Sequence, residues 1–379
     1  MSDVYISFSD IDSFLRCRQQ WDFKSANRQS IRHKTTPKLY LTLGSAVHRA
    51  LEANALGEDP VAAVEAYTAS ERASKVQAYV DEHGFQPWGS ELREFDETAE
   101  LARGLVGQYF DHYGTDNPLA DAALEYVGIE VPFKIDITKH VGFHLSKPGT
   151  NVYFVGTLDA LAVNEFDDLF IVENKTYSTK PDSEMIQWHF QSMGYAVALR
   201  WLTGLDVAGG LYNGIAKRLI SEPKVLKSGL LSTDKRQATT YERYIEAIAR
   251  NGEDRNDPRF SDILSHLQAV DDQGDTRFFY REKFFFTDEQ LEAWETDFLH
   301  IVVEMLDQPR IYRTIPFKGC GDCWFSDLCH TKHSGGDLDY ILDKRYTIGT
   351  YGTVEEVAGV EPTVVTSIDE LREYLRNGR

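Results

Sequence analysis

Two short runs in the middle of the chain hold the residues best suited to chemistry. Gly156-Thr157-Leu158-Asp159 is followed, after a turn, by Glu173-Asn174-Lys175. The flanking residues are β-branched and aromatic, so Asp159 and Glu173 fall on neighbouring strands. Glu173 and Lys175 are two apart and project from one strand face. Two carboxylates and a lysine on a sheet face are costly unless something partners them. A divalent cation such as Mg²⁺ or Mn²⁺ is such a partner, because hard cations take carboxylate and phosphate oxygens. It would activate a water for attack on a phosphodiester, with Lys175 orienting that water or neutralising developing charge. Glu-x-Lys by itself is common and equally describes a solvated strand edge.

Two further runs bear on the choice. Upstream, Gly44 and His48 lie one helical turn apart; Gly44 would let the helix approach closely, and His48 can offer a nitrogen to the same cation. Downstream, Gln187, Gln191 and Tyr195 recur at i, i+4 and i+8, a stripe of amides and a phenol that suits phosphate and base contacts. A surface stripe over an apolar face is the plainer alternative.

The four cysteines are unevenly placed. Cys320, Cys323 and Cys329 form C-x₂-C-x₅-C, a spacing that reads as metal-binding before it reads as disulfide-bonded. The first pair straddles a turn at Gly321, so their thiolates would converge on one centre. The fourth ligand would be Cys17, or else His330 or His333 in a zinc site. Ligand type alone does not separate iron from zinc.

The order G-x-x-x-H (Gly44 to His48), G-x-x-D (Gly156 to Asp159), E-x-K (Glu173 to Lys175) and Q-x-x-x-Y (Gln191 to Tyr195) resembles the RecB-like branch of the PD-(D/E)XK nucleases. Leu158 stands where the family name has proline, as is usual in that branch. The resemblance implies that His48, Asp159, Glu173 and the backbone carbonyl of Asn174 bind Mg²⁺ or Mn²⁺. It also implies that Lys175 is the catalytic lysine and that Gln191 and Tyr195 contact DNA. A subset of the branch has one cysteine before the G-x-x-x-H helix and three near the C-terminus. On that layout Cys17, Cys320, Cys323 and Cys329 would hold a structural [4Fe–4S] cluster stapling the two ends of the domain together. The implied function is a metal-dependent deoxyribonuclease, more specifically an exonuclease on single-stranded DNA or DNA ends in recombination, repair or phage DNA processing. A helicase or recombination protein would be the partner that supplies substrate. A non-catalytic DNA-binding or assembly subunit that keeps the fold and cluster is the competing reading.

The elements that must position these groups follow from periodicity. Helices are expected at 8–24, capped by Ser9 with Asp12 at the third position, and at 41–56, 60–83 and 94–113. Strands are expected at 123–133, 151–163 and 168–175. A helix at 183–203 and a strand at 207–217 come next, then a loop over 221–235. Helices at 236–250 and 259–268, a strand at 277–287 and a helix at 288–307 complete the core, with a final short helix at 367–376. The expected fold is α/β, a central mixed sheet flanked by helices, which the resemblance implies is a restriction-endonuclease-like core. The reading gives a nuclease domain over 1–331 and a C-terminal tail of unknown role over 332–379.

Composition narrows the function further. A net charge of −20 over 379 residues disfavours a general nucleic-acid coat, yet a DNA channel needs only a local basic strip. With no Gly-Lys dipeptide there is no phosphate loop of the ATP-driven kind. No apolar run reaches the roughly 18–20 residues that span a bilayer, and the opening residues lack a signal-peptide pattern. The expectation is a cytoplasmic, prokaryotic or phage-encoded protein without a membrane partner.

Overall fold

The chain opens in a strand absent from the expected elements, β1 (Ser2–Ile6), which turns directly into α1 (Phe8–Arg16). In the computed structural model, residues 2–34, 41–142, 149–274, 276–307, 310–314, 320–321, 323–349 and Glu373 are described. The cap of α1 is Ser7, with Asp10 completing a capping box. It lies two residues before the expected Ser9, because β1 pairing ends at Ile6 and the helix begins at Phe8 after the extended Ser7. The expected helix 8–24 is broken at Cys17, whose extended backbone separates α1 from α2 (Arg18–Lys24).

After β2 (Ile31–His33) come three helices, α3 (Leu43–Ala55), α4 (Pro60–His83) and α5 (Gly89–Tyr113). Then follow β3 (Glu125–Asp136), α6 (Thr138–Val141), β4 (Thr150–Val163) and β5 (Leu169–Tyr177). The expected 183–203 helix is two: α7 (Ser183–Gln187) and α8 (Phe190–Thr203), with Trp188 and His189 non-helical between them. Gln187 therefore leaves the stripe of Gln191 and Tyr195. Beyond β6 (Val207–Ala216) lie α9 (Tyr241–Arg250), α10 (Ser261–Asp272), β7 (Phe279–Phe285) and α11 (Asp288–Leu306). The chain continues through α12 (Ser326–Ser334), α13 (Leu338–Arg345) and β8 (Tyr346–Ile348). Apart from Glu373, the expected helix near 367–376 lies outside the described residues.

The main sheet has six strands in the order β1-β4-β5-β6-β7, with β3 on the other edge of β4. It is mixed: β1 runs parallel to β4 and β6 parallel to β5, while the remaining pairs are antiparallel. Alternating residues face opposite layers. Leu161, Val163, Leu169 and Ile171 pack with α1, α8 and α11 residues such as Ile11, Val197 and Phe298. Ala160, Ala162, Phe170 and Val172 pack on the other face with Leu119 and Leu124. The α3–α5 helices bury Val47, Leu51, Leu105 and Tyr109 against Ile215 and Phe279.

A second, small sheet joins two segments that lie far apart in the sequence. Ile31 pairs with Ile348 and His33 with Tyr346, and Phe23 packs with Phe325, Leu328 and Tyr346 in one cluster. Residues 332–349 thus belong to the folded body, and the boundary drawn at 331 falls within α12.

Candidate active site

Sheet pairing creates the site. Along one edge β4 pairs with β1 over Thr150–Phe154 and with β5 over Ala160–Val163. Residues 155–159 between these stretches have neither neighbour. Antiparallel pairing with β5 ends at Ala160 and Val172, so Asp159 and Glu173 stand where the two strands part.

The β3–β4 ribbon also turns over at this point. The pair Val131 and Leu158 packs in the layer with α8 and α11, whereas the next pair, Ile129 and Ala160, packs on the opposite face. Residues two apart on a regular strand share a face. The reversal falls at Glu130 and Asp159, and Glu130 has a left-handed φ of 47°, a strained conformation for a side chain of this size.

The turn-over assembles a ligand set. Atoms of His48, Glu130 and Asp159 lie within 4.8 Å of one another. His48 Nε2 donates to the Asn174 carbonyl oxygen at 2.8 Å, which turns Nδ1 toward Asp159. That nitrogen lies 3.9 Å from Asp159 Oδ2, a spacing that a cation bound to both would bridge. Asp159 Oδ2 also accepts the Asn174 N–H at 3.2 Å. Glu173 is 1% exposed and pairs with Lys175, while its Oε2 is buried without a hydrogen-bond donor. Burial raises the Glu173 carboxyl to about 7, with Asp159 adding to the rise and Lys175 opposing it. For Lys175 burial acts downward, but the Glu173 and Asp159 charges outweigh it and hold the ammonium above its ordinary value. A nitrogen and two carboxylates gathered in this way fit a hard divalent cation, while Glu173, on the neighbouring strand and outside that group, carries an orphaned buried oxygen.

Glu130 was absent from the expected set. An acidic residue inside the apolar run 123–133 was its one sequence signal. His189 was also missed. It shares a hydrogen bond with Ser192 Oγ at 2.9 Å. Burial and then the Lys175 charge push its imidazole down to about 4, against Asp159, so it is neutral near Lys175 at physiological pH.

The Gln191–Tyr195 pair is tied to the same strand. Gln191 Nε2 donates to the Tyr195 hydroxyl at 2.6 Å, and that hydroxyl donates to the Thr157 carbonyl at 2.8 Å. Tyr195 is 3% exposed and its ring meets Phe8 edge-on. It positions Gln191, which is the half-buried member able to meet a ligand. Gly156 makes this possible, because a Cβ there would lie 2.7 Å from the Phe133 ring packed beside Tyr195. Gly44 is different: a Cβ would sit at an ordinary 3.6 Å from Thr176 Oγ1, so close approach is not what requires glycine there.

The cysteines are gathered less tightly than expected. Cys17 is the joint between α1 and α2, Cys323 precedes α12 and Cys329 lies within it. Cys323 and Cys329 edge the small core around Phe325 and Leu328, and Cys320 is exposed. Burial raises both inner thiols, and the neighbouring thiols, Cys17 and Cys320 included, raise them further. Among the described residues, however, no three sulfurs lie within 4.8 Å of one another.

Residues 5–330 match the PD-(D/E)XK nuclease superfamily, and the chain belongs to it. No curated protein matches the sequence significantly. Among the described residues no helix is long and apolar enough to cross a membrane.

Proposed function

We propose that the protein is a metal-dependent deoxyribonuclease of the RecB-like branch, acting on single-stranded DNA or DNA ends as an exonuclease. The observation that carries this is the convergence of His48, Glu130 and Asp159, with the buried, donor-free Oε2 of Glu173 on the neighbouring strand. These residues, with the Asn174 carbonyl, would hold Mg²⁺ or Mn²⁺. When bound, the cation supplies Lewis-acid polarisation of a phosphodiester and a more acidic water. Lys175, whose side chain is 37% exposed, points its ammonium along the same strand face and would orient the attacking water or balance charge on the phosphate. Gln191, held by Tyr195, would fix the strand. A DNA-binding subunit without catalysis is the less favoured reading, because the ionisable set is complete.

We further propose that Cys17, Cys320, Cys323 and Cys329 hold a [4Fe–4S] cluster. The C-x₂-C-x₅-C spacing, with Cys17 as a fourth thiol ahead of the Gly44–His48 helix, supports this reading. Packing of Phe23 against Phe325 supports a staple between the two ends. Cytoplasmic action beside a helicase or recombination protein suits a degradative enzyme of this kind.

The test is to incubate anaerobically purified protein with end-labelled single- and double-stranded DNA plus Mg²⁺ or Mn²⁺, alongside Lys175→Ala and an EDTA control. Metal-dependent degradation lost in the variant is expected, and label position gives polarity. Wild-type protein that binds DNA but cleaves none would overturn the assignment. Iron content and visible absorption of wild type and Cys17→Ser test the cluster, and colourless, iron-free wild type would reject it.

A further inference from the structure

Parallel strands β5 and β6 end together, and at their carboxyl ends lies a cavity of about 330 Å³ lined by Tyr177, Ser178, Lys180, Lys217, Arg218 and Thr276 among others. Carboxyl ends of parallel strands are where open α/β sheets gather ligands. Lys175 and Tyr177 share a face of β5, so the cavity begins about 7 Å along the strand from the catalytic lysine, two residues at ~3.3 Å each.

Four cations line this cavity, Lys180, Lys217, Arg218 and Arg277, and of the first three only Arg218 and Lys180 are held, both by neutral groups. Arg218 donates through Nε and Nη2 to the Arg277 carbonyl at 3.3 and 3.0 Å. Lys180 donates to Thr276 Oγ1 at 3.3 Å and lies 3.8 Å from the Tyr280 ring centroid. Lys217 is exposed, with no side-chain partner among the described residues. None of the three forms an ion pair with a carboxylate among those residues, in a chain with 60 acidic and 40 basic side chains. A concave site lined by uncompensated cations concentrates anions. A larger cavity, about 740 Å³, has the opposite character, with Glu58, Asp59, Asp111 and Asp116 in its wall. A polyanion would avoid it.

We propose that the β5–β6 cavity binds a phosphate of the nucleic-acid strand, held by Lys217 and Arg218 with Lys180 at the rim. The placement of that strand rests on the nuclease reading. The phosphate is either internal, next to the bond over Lys175, or the terminal phosphate of a strand end. The hydroxyls of Ser178 and Thr276 add neutral donors.

The experiment is binding of a fluorescent single-stranded oligonucleotide in EDTA, followed by anisotropy across salt concentrations, with 5′-phosphate and 5′-hydroxyl versions. Lys217→Ala, Lys217→Arg and the double variant Lys217→Ala/Arg218→Ala are compared with Lys139→Ala, a surface control on α6. Lys217→Ala is expected to weaken binding about threefold to tenfold at low salt and to flatten the log–log salt slope by about 0.7, the value for one lost single-strand phosphate contact. Lys217→Arg should restore both. A loss confined to the 5′-phosphate oligonucleotide marks a terminal phosphate, and a loss on both marks an internal one. Affinity and slope unchanged in the double variant, or changed only as much as in Lys139→Ala, would overturn the assignment. Cleavage assayed in parallel separates the two claims. If wild type cuts DNA while these variants bind normally, the cavity is wrong and the nuclease stands. If wild type cuts nothing but the slopes shift as expected, the nuclease reading fails and the cavity stands.

Discussion

Asn213 and Asn174 face each other across the parallel β5–β6 ladder, and Asn213 Nδ2 donates to Asn174 Oδ1 at 2.7 Å. Asn213 is wholly buried, donates also to the Tyr109 hydroxyl at 2.9 Å, and accepts from Arg281 Nε at 2.9 Å. Arg281 reaches on to Asp121 and lies over the Tyr113 ring. The residue between Glu173 and Lys175 is therefore clamped from behind by a polar network running through β6, β7 and α5. Asn213→Leu removes three hydrogen bonds and strands the Arg281 Nε donor and the Asn174 Oδ1 acceptor, at a cost of about 3 kcal/mol. Urea denaturation should show that loss, and cleavage should fall with it. Unchanged stability would mean that the network does not hold the strand.

Glu173 is destabilising when ionised. Its folded value, about 7, exceeds the ordinary 4.5, so the neutral form favours folding and stability declines as pH rises from about 4.5 through 7. In EDTA, Glu173→Gln should therefore be more stable than wild type at pH 8, by a few kcal/mol at most. That advantage should shrink as pH falls through 7 and vanish near 4.5. Chemical denaturation at pH 5 and pH 8 measures it. An advantage of equal size at both would refute the origin in ionisation.

Glu130 makes two separable contributions, one through its carboxylate and one through its strained backbone. Glu130→Gln should weaken Mn²⁺ binding about tenfold, since a charged oxygen ligand is lost, with little change in metal-free stability. Glu130→Gly should bind Mn²⁺ as poorly yet be more stable without metal by about 1 kcal/mol, because glycine adopts φ near 47° without strain. Calorimetric titration and melting curves report the two effects. Wild-type Mn²⁺ affinity in Glu130→Gln would remove Glu130 from the ligand set.

The two motif glycines should respond oppositely to alanine. Gly156→Ala forces the Phe133 ring aside and should cost about 1–3 kcal/mol, with a drop in activity through Tyr195 and Gln191. Gly44→Ala fits within ordinary contact and should be neutral or stabilising by about 0.5–1 kcal/mol in helix α3. The reverse ranking in thermal melts would contradict the packing described.

Parts of this site were legible because they depend on local periodicity. Glu173 and Lys175 share a face whatever their strand pairs with, and the ends of α4 at Pro60 and Gly84 are marked by their own residue types. Glu130 was hidden because its role depends on the β3–β4 ribbon turning over, a property of paired strands rather than of either one. The Asn213–Asn174 contact likewise requires the β5–β6 register. The break at Trp188 and His189 carries no glycine or proline to announce it. Short strands β2 and β8 have too few residues for a period, and each exists only because the other is there.

The pairing of Ile31 with Ile348, roughly three hundred residues apart, has a consequence for synthesis. The α2–β2 segment has no strand partner until roughly three hundred further residues have left the ribosome. Contacts of such separation form late, after the entropy of a very large loop has been overcome. Helix α1, which sets Phe8 against Tyr195, precedes that segment directly, so its final anchoring waits on β8. A truncated or nascent chain could build the sheet yet leave this flank unsecured. Assembly order thus delays the securing of this flank of the site until residues 346–348 have been made.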